Sequence, residues 1–182
     1  PSIDIEEKKA VQKILESGWV SQGKMTKKFE TELSKKISSN VAVVNNGTSA
    51  LICALLSHEV KSGDRIAIPA FTFIATASAA KILGVEIIPI DIELSTLNMD
   101  VKKLEEYVKK NKIKAALIVD VAGLPIDIDA FLELSRRHKF ILIEDAAEAL
   151  GSEYKNKMIG SFQHLTTFSF HIAKIITTIE GG

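Results

Sequence analysis

The chain has a single cysteine, Cys53, so no internal disulfide can hold it together. That residue stands in the apolar run ALICALL and reads as a small core hydrophobe. Charge of either sign is not in excess: Lys plus Arg and Asp plus Glu each number 23. A balanced chain gives no basic patch for nucleic acid or an anionic membrane surface, and no acidic tail that would stay disordered. No apolar stretch approaches the roughly 20 residues of a spanning helix. The first residues, PSIDIEEKKAV, carry charge from the fourth position onward, unlike a secretion signal. These absences lead to the expectation of a soluble, cytoplasmic domain with neither a nucleic-acid nor a membrane partner. What remains is ordinary for a packed core: 182 residues, 46% of them hydrophobic, enough for one good-sized domain.

Apolar, β-branched runs of strand length recur along the chain. They are VAVVN (41–45), RIAIP (65–69), EIIPID (86–91), AALIVD (115–120), FILIED (140–145) and TTFSF (166–170). Most are continuously apolar rather than alternating, as in strands buried on both faces. Helical patterns lie between them. TSALICALLSHEV opens on a Gly-Thr-Ser start signal, and FIATASAAKILG ends at Gly84. MDVKKLEEYVKK and DIDAFLELSRRHK space their apolar residues by three and four, with acids early and bases late. Two more helices precede the first run, joined by GWVSQG, which holds the one tryptophan. Strands alternating with helices predict α/β architecture around a mainly parallel sheet.

In such sheets ligands bind beyond the carboxyl ends of the strands. Three of these ends carry chemistry. In VAVVNNGTSAL a strand runs through Gly47, Thr48 and Ser49 into a helix. That aims backbone N–H groups, two hydroxyls and a helix N-terminus at one point, which suits a phosphate; an ordinary capped loop is the alternative. In FILIEDAAEALG, Glu144 and Asp145 end an apolar strand, where a carboxylate needs a cation or several donors. Asp145 either caps the next segment or pairs with a protonated ring nitrogen, and Glu148 faces the same way if AAEAL is helical. The third is Lys174, just past TTFSF. A lysine, an acid and an anion-binding turn meet the needs of pyridoxal phosphate. Phe71 and Phe73, in PAFTFIAT, are candidates to stack on its ring, although Phe71 fits core packing better.

The ordered set VVNNGTSAL, IPAFTFIATASAAKILGVEIIPIDI, VAGLPIDIDAF, IEDAAEALGSEYKNKMIGSF and TTFSFHIAKIITTIEGG resembles the DegT/DnrJ/EryC1/StrS family, over essentially the whole chain. The opening ILESGWVSQGKMTKKFE is similar to that family's start. The resemblance implies a pyridoxal-phosphate-dependent sugar aminotransferase of the aspartate aminotransferase fold, a three-layer αβα domain. By motif, Lys174 would form the Schiff base and Asp145 would hold the pyridinium nitrogen. Phe73 would stack on the ring, and Thr48, Ser49 and Ser169 would hold the phosphate. Glu148 falls where many members have His or Gln near the cofactor, and glutamate there is similar to perosamine synthases, which make 4-amino sugars. The implied partners are an amino-acid donor, glutamate, a nucleotide-linked keto sugar, and a second subunit in a homodimer. No metal is implied. A side branch with histidine in place of the lysine is a dehydratase; Lys174 keeps this chain apart from it.

Two departures set expectations of their own. Ile179, in TTIEGG, stands where the family usually has glycine, so a positive φ there would strain a β-branched residue. Family members are also much longer. Residues 1–24 read as an N-terminal helix and linker, and 25–182 as an incomplete cofactor-binding domain, before an interior antiparallel strand and a smaller domain. An inactive remnant with a structural or regulatory role is the alternative function. A nucleotide-binding module without the cofactor would leave Lys174 and Asp145 unexplained.

Overall fold

In the computed structural model, which describes residues 1–182, three helices precede the first strand: α1 (Ile5–Ser17), α2 (Lys24–Ile37) and α3 (Gly47–Ser57). Strands and helices then alternate as β1 (Arg65–Pro69), α4 (Ile74–Ile82), β2 (Glu86–Ile90), α5 (Val101–Val108), β3 (Ala115–Val119), α6 (Ile128–His138) and β4 (Ile141–Asp145). A small hairpin, β5 (Glu153–Tyr154) and β6 (Lys157–Met158), leads to β7 (Leu165–Thr167). Local chemistry sets the helix ends. Asp4 accepts from the Glu6 N–H while Glu7 accepts from the Asp4 N–H, closing a capping box on α1, and Gly18 ends that helix in the left-handed region at φ 70°. Asp100 and Asp127 cap α5 and α6, and Arg136 and Arg137 lie in the last turn of α6, where the helix dipole favours a cation.

The main sheet runs β2-β1-β3-β4-β7, with every neighbouring pair parallel. Alternation along β3 divides its side chains between two cores. Ala116 and Ile118 join Leu33 and Ile37 of α2, Leu104 of α5, and Phe131 and Leu134 of α6. Ala115 and Leu117 join Leu51 and Leu55 of α3, with Ala79 and Ala80 of α4, on the opposite face. The result is the expected three-layer αβα arrangement. Both faces of β3 are fully covered, which explains its unbroken apolar run. Truncating a residue such as Leu117 to alanine should cost about 2–5 kcal/mol.

Three expectations are corrected. The run at 41–45 is not a ladder strand. Only Val44 exchanges backbone hydrogen bonds, with Gly182 at 2.8 and 3.0 Å, while the Val43 N–H donates to Glu30 Oε1 at 3.0 Å. A cavity of about 400 Å³ lies between this run and β7, and no strand formed by residues 1–182 pairs with it. β propensity expresses itself only against a partner. Cys53 lines the same cavity from α3 and is exposed rather than buried, because nothing packs on that face of the helix. Phe71 is likewise outside the core, 51% exposed in the loop after β1. At the other end, β7 stops at Thr167, and Phe170 bonds instead to the closing loop, donating to Gly181 O and accepting from the Thr178 N–H.

Candidate functional site

The carboxyl ends of the strands open onto one cleft of about 880 Å³. Of the residues singled out from the sequence, Thr48, Phe73, Asp145, Glu148, Ser169 and Lys174 all line it. Ser49 is not among its lining residues; its N–H is taken by the Asn46 side chain at 2.8 Å, which caps α3. At the floor, Asp145 ends β4 and is 6% exposed. Its Oδ2 accepts from the Thr76 hydroxyl at 2.7 Å and its Oδ1 from the Ala147 N–H at 3.3 Å. Thr76 has its own hydroxyl 2.8 Å from that of Thr72, so a relay of two hydroxyls ends on the carboxylate. Burial pushes the Asp145 carboxyl above the usual range, while the Thr76 and Ala147 donors and the Lys174 charge pull it down. Such a carboxyl becomes a firm anion once a cation comes to rest on it.

Lys174 sits in the loop after β7, its N–H held by the His171 carbonyl at 2.9 Å. Its ammonium lies 3.4 Å from Glu148 Oε1, and its side chain is only 22% exposed. The other Glu148 oxygen accepts from the Ala122 N–H at 3.0 Å. Ala122 belongs to the turn Val121–Gly123 and has φ 53°. Asn98 fixes this turn at both sides, accepting from the Val121 N–H and donating to Leu124 O, each at 2.9 Å. Gly123 must be glycine here: it has φ 78°, and a Cβ would stand 2.8 Å from the Glu148 carbonyl oxygen.

The anion end of the cleft is built by close approach of two segments. A Cβ on Gly47 would meet the Ser169 Cβ at 3.0 Å and its Oγ at 3.3 Å. A glycine here lets the start of α3 and Ser169 approach closely and face the same space, together with Thr48. Phe73 stands at the rim, 76% exposed, at the N-cap of α4. These groups fit pyridoxal phosphate: an N-terminal turn with hydroxyls for the phosphate, an aromatic face, an acid for the ring nitrogen and a lysine for the aldehyde.

Three buried polar residues were not foreseen as parts of the site. Thr76 is fully buried and His164 has a side chain 2% exposed. Asp120 directly follows β3, lines the cleft and is 1% exposed. Its signal was present, since AALIVD closes on an acid just as FILIED does. Thr76 and His164 carry no pattern that separates them from neighbouring residues. Ile179, in the closing loop, has φ 72°, the left-handed conformation that its β-branched side chain disfavours.

The model of the DegT/DnrJ/EryC1/StrS aminotransferase family matches residues 1–182. The GDP-perosamine synthase of Escherichia coli O157:H7 is 39% identical over 184 residues, covering 100% of this chain and 50% of that protein. The solved aminotransferase from Psychrobacter cryohalolentis superposes with a TM-score of 0.95 at 33% identity, over 100% of this chain and 47% of its own. The E. coli GDP-4-keto-6-deoxy-D-mannose-3-dehydratase, solved with bound hydrated PLP, gives 0.88 at 28% identity, over 100% and 48%. The chain spans about half the length of the curated relatives it matches.

Proposed function

The chain belongs to the DegT/DnrJ/EryC1/StrS aminotransferase family, and from that membership we propose that it transfers an amino group from an amino-acid donor, glutamate, to a nucleotide-linked keto sugar. One observation carries this reading: Lys174, Asp145 and the Gly47–Thr48 turn with Ser169 converge on a single cleft. Pyridoxal phosphate, when bound, supplies an electrophilic carbon and an electron sink. In this reading Thr48 and Ser169 bind its phosphate and Phe73 covers one face of its ring. Asp145, steered by Thr76, keeps the ring nitrogen protonated. Lys174 Nζ would hold the aldehyde end of the cofactor and, as a free amine, would carry a proton to and from the substrate carbon. Glu148 lies beside that amine and would orient it.

The likeness to a GDP-perosamine synthase, together with glutamate at position 148, supports a 4-keto sugar as acceptor. We further propose a homodimer, because Phe71, Phe73, Ile74, Ile172 and Ile175 are each more than half exposed in segments that carry residues of the cleft. The test is a titration with pyridoxal phosphate followed by borohydride reduction and peptide mapping. Covalent capture on Lys174, absent in Lys174→Ala, supports the reading; capture on other lysines, or none by a folded protein, sinks it. A screen of nucleotide-linked 3-keto and 4-keto sugars with glutamate then decides the acceptor.

A further inference from the structure

Behind Asp145 lies a second acidic group that the reaction does not use directly. Asp120 and Glu144 are 1% and 0% exposed; Asp120 follows the last residue of β3 and Glu144 is the last but one of the adjacent parallel strand β4. Glu144 lies opposite Ile118 in the β3–β4 ladder, and Asp120 follows Ile118 by two residues, so the two side chains leave the same face of the sheet on neighbouring segments. Glu144 Oε2 accepts from the Thr166 hydroxyl at 2.8 Å and contacts His164 Nε2 at 3.1 Å. Asp120 Oδ1 accepts from the Ile126 N–H at 3.1 Å. The two oxygens left over, Asp120 Oδ2 and Glu144 Oε1, have no donor from any other group. Two buried carboxylates on one face of neighbouring strands, each with a bare oxygen, would repel strongly if both were ionised, and each oxygen would lack a partner.

A single proton resolves all of these. We propose that Asp120 and Glu144 share one proton between Asp120 Oδ2 and Glu144 Oε1, which makes Asp120 a positioning residue for the cleft. Asp120 is then a neutral acid, donating to Glu144 and still accepting from Ile126. Glu144 is the anion, served by Asp120, Thr166 and His164. His164 Nδ1 has no partner, and a proton on Nε2 lets the ring donate to Glu144 Oε2. Burial, and then the charge of Glu144, push the Asp120 carboxyl up to about 8, in keeping with a retained proton at neutral pH.

The consequence reaches the cleft by backbone. Through Oδ1 and its own place in the chain, Asp120 fixes the segment 121–126, whose Ala122 N–H holds Glu148 against Lys174. A neutral Asp120 also spares the cleft floor another negative charge beside Asp145, the neighbouring acid whose charge raises Asp120 further. The role at Lys174 and Asp145 rests on the aminotransferase reading; the shared proton does not.

The test needs no cofactor. Infrared spectra of the full chain at pH 7 should show the carbonyl band of a neutral carboxylic acid, shifted by aspartate labelled with carbon-13 at the carboxyl. The band should lose its Asp120 component in Asp120→Asn and keep that component in Asp145→Asn. Because the folded-state value of Asp120 lies above its unfolded one, its contribution to stability is whole below about pH 4 and gone above about 8. Across that window it should lower the folding constant by up to about tenfold per pH unit. Asp120→Asn, whose amide still donates to Glu144, should lose this component, whereas Asp120→Ala should be less stable throughout. A wild-type chain without the labelled band, or an Asn variant that keeps the full wild-type pH slope, overturns the proposal. Should Asp120→Asn not fold, Glu144→Gln decides: the band must then disappear at lower pH than in wild type, and an unchanged titration refutes the pairing. Failure here leaves covalent capture on Lys174 untouched, so the two readings fail separately.

Discussion

The Thr76 hydroxyl donates to Asp145 Oδ2 at 2.7 Å, joining the first turn of α4 to the end of β4 across the cleft floor. The bond is buried at both ends and makes the geometry of Asp145 depend on a helix from another part of the sheet. Replacing Thr76 with valine keeps the volume and removes the donor. A hydrogen bond to a charged group contributes about 1.5–3 kcal/mol, so pyridoxal phosphate should bind at least roughly tenfold more weakly. Thr76→Ser should retain most of the affinity. Absorbance titration of the two variants separates the hydroxyl from the methyl.

Asp145 gives a pH signature of its own. Its carboxyl is raised above the unfolded value, chiefly by burial, so the folded protein holds that proton more tightly than the unfolded chain does. Its stabilising contribution is complete below the unfolded carboxylate range and is lost as pH rises through the folded value. Urea unfolding of the cofactor-free chain from pH 4 upward should show declining stability. Asp145→Asn should lessen that decline, leaving the share that belongs to Asp120, and an unchanged slope in the variant would show that Asp145 takes no part in it.

Lys174 and Glu148 should separate chemistry from stability. Their 3.4 Å pair involves a Glu148 side chain that is 52% exposed, and an ion pair of that kind contributes at most about 1 kcal/mol. Lys174→Ala and Glu148→Gln should therefore shift Tm by no more than about 4 °C. Lys174→Ala should nevertheless abolish covalent capture of the cofactor, which mass spectrometry reads directly. Glu148→Gln should retain capture on Lys174.

Ile179 should be a site of easy improvement. Its φ of 72° strains a residue that is 64% exposed and so loses little by truncation. Left-handed geometry costs an L-residue about 1–2 kcal/mol, partly offset by the extra unfolded-state freedom of glycine. Ile179→Gly should raise stability by roughly 0.5–1 kcal/mol. Ile179→Ala should recover only the part due to β-branching. Chemical denaturation of both variants measures the difference.

Much of this protein follows from its sequence alone. Continuous apolar runs marked β1, β3 and β4 because both faces of those strands are covered, and the three-and-four apolar spacing of MDVKKLEEYVKK and DIDAFLELSRRHK marked α5 and α6. The acids and lysine past the strand ends pointed to the cleft because parallel topology brings those ends together. Tertiary structure alone decided the rest. Val41 to Val44 has every local mark of a strand, yet a ladder needs a neighbour, and beside it lies a cavity. Phe71 and Cys53 have core-like composition around them but sit where nothing packs. Thr76, Asp120 and His164 acquire their meaning from partners 69, 24 and 20 positions away in the chain. Local pattern registers what a residue is; burial without water, which makes each unpaired oxygen and each shared proton matter, exists only once the chain has folded.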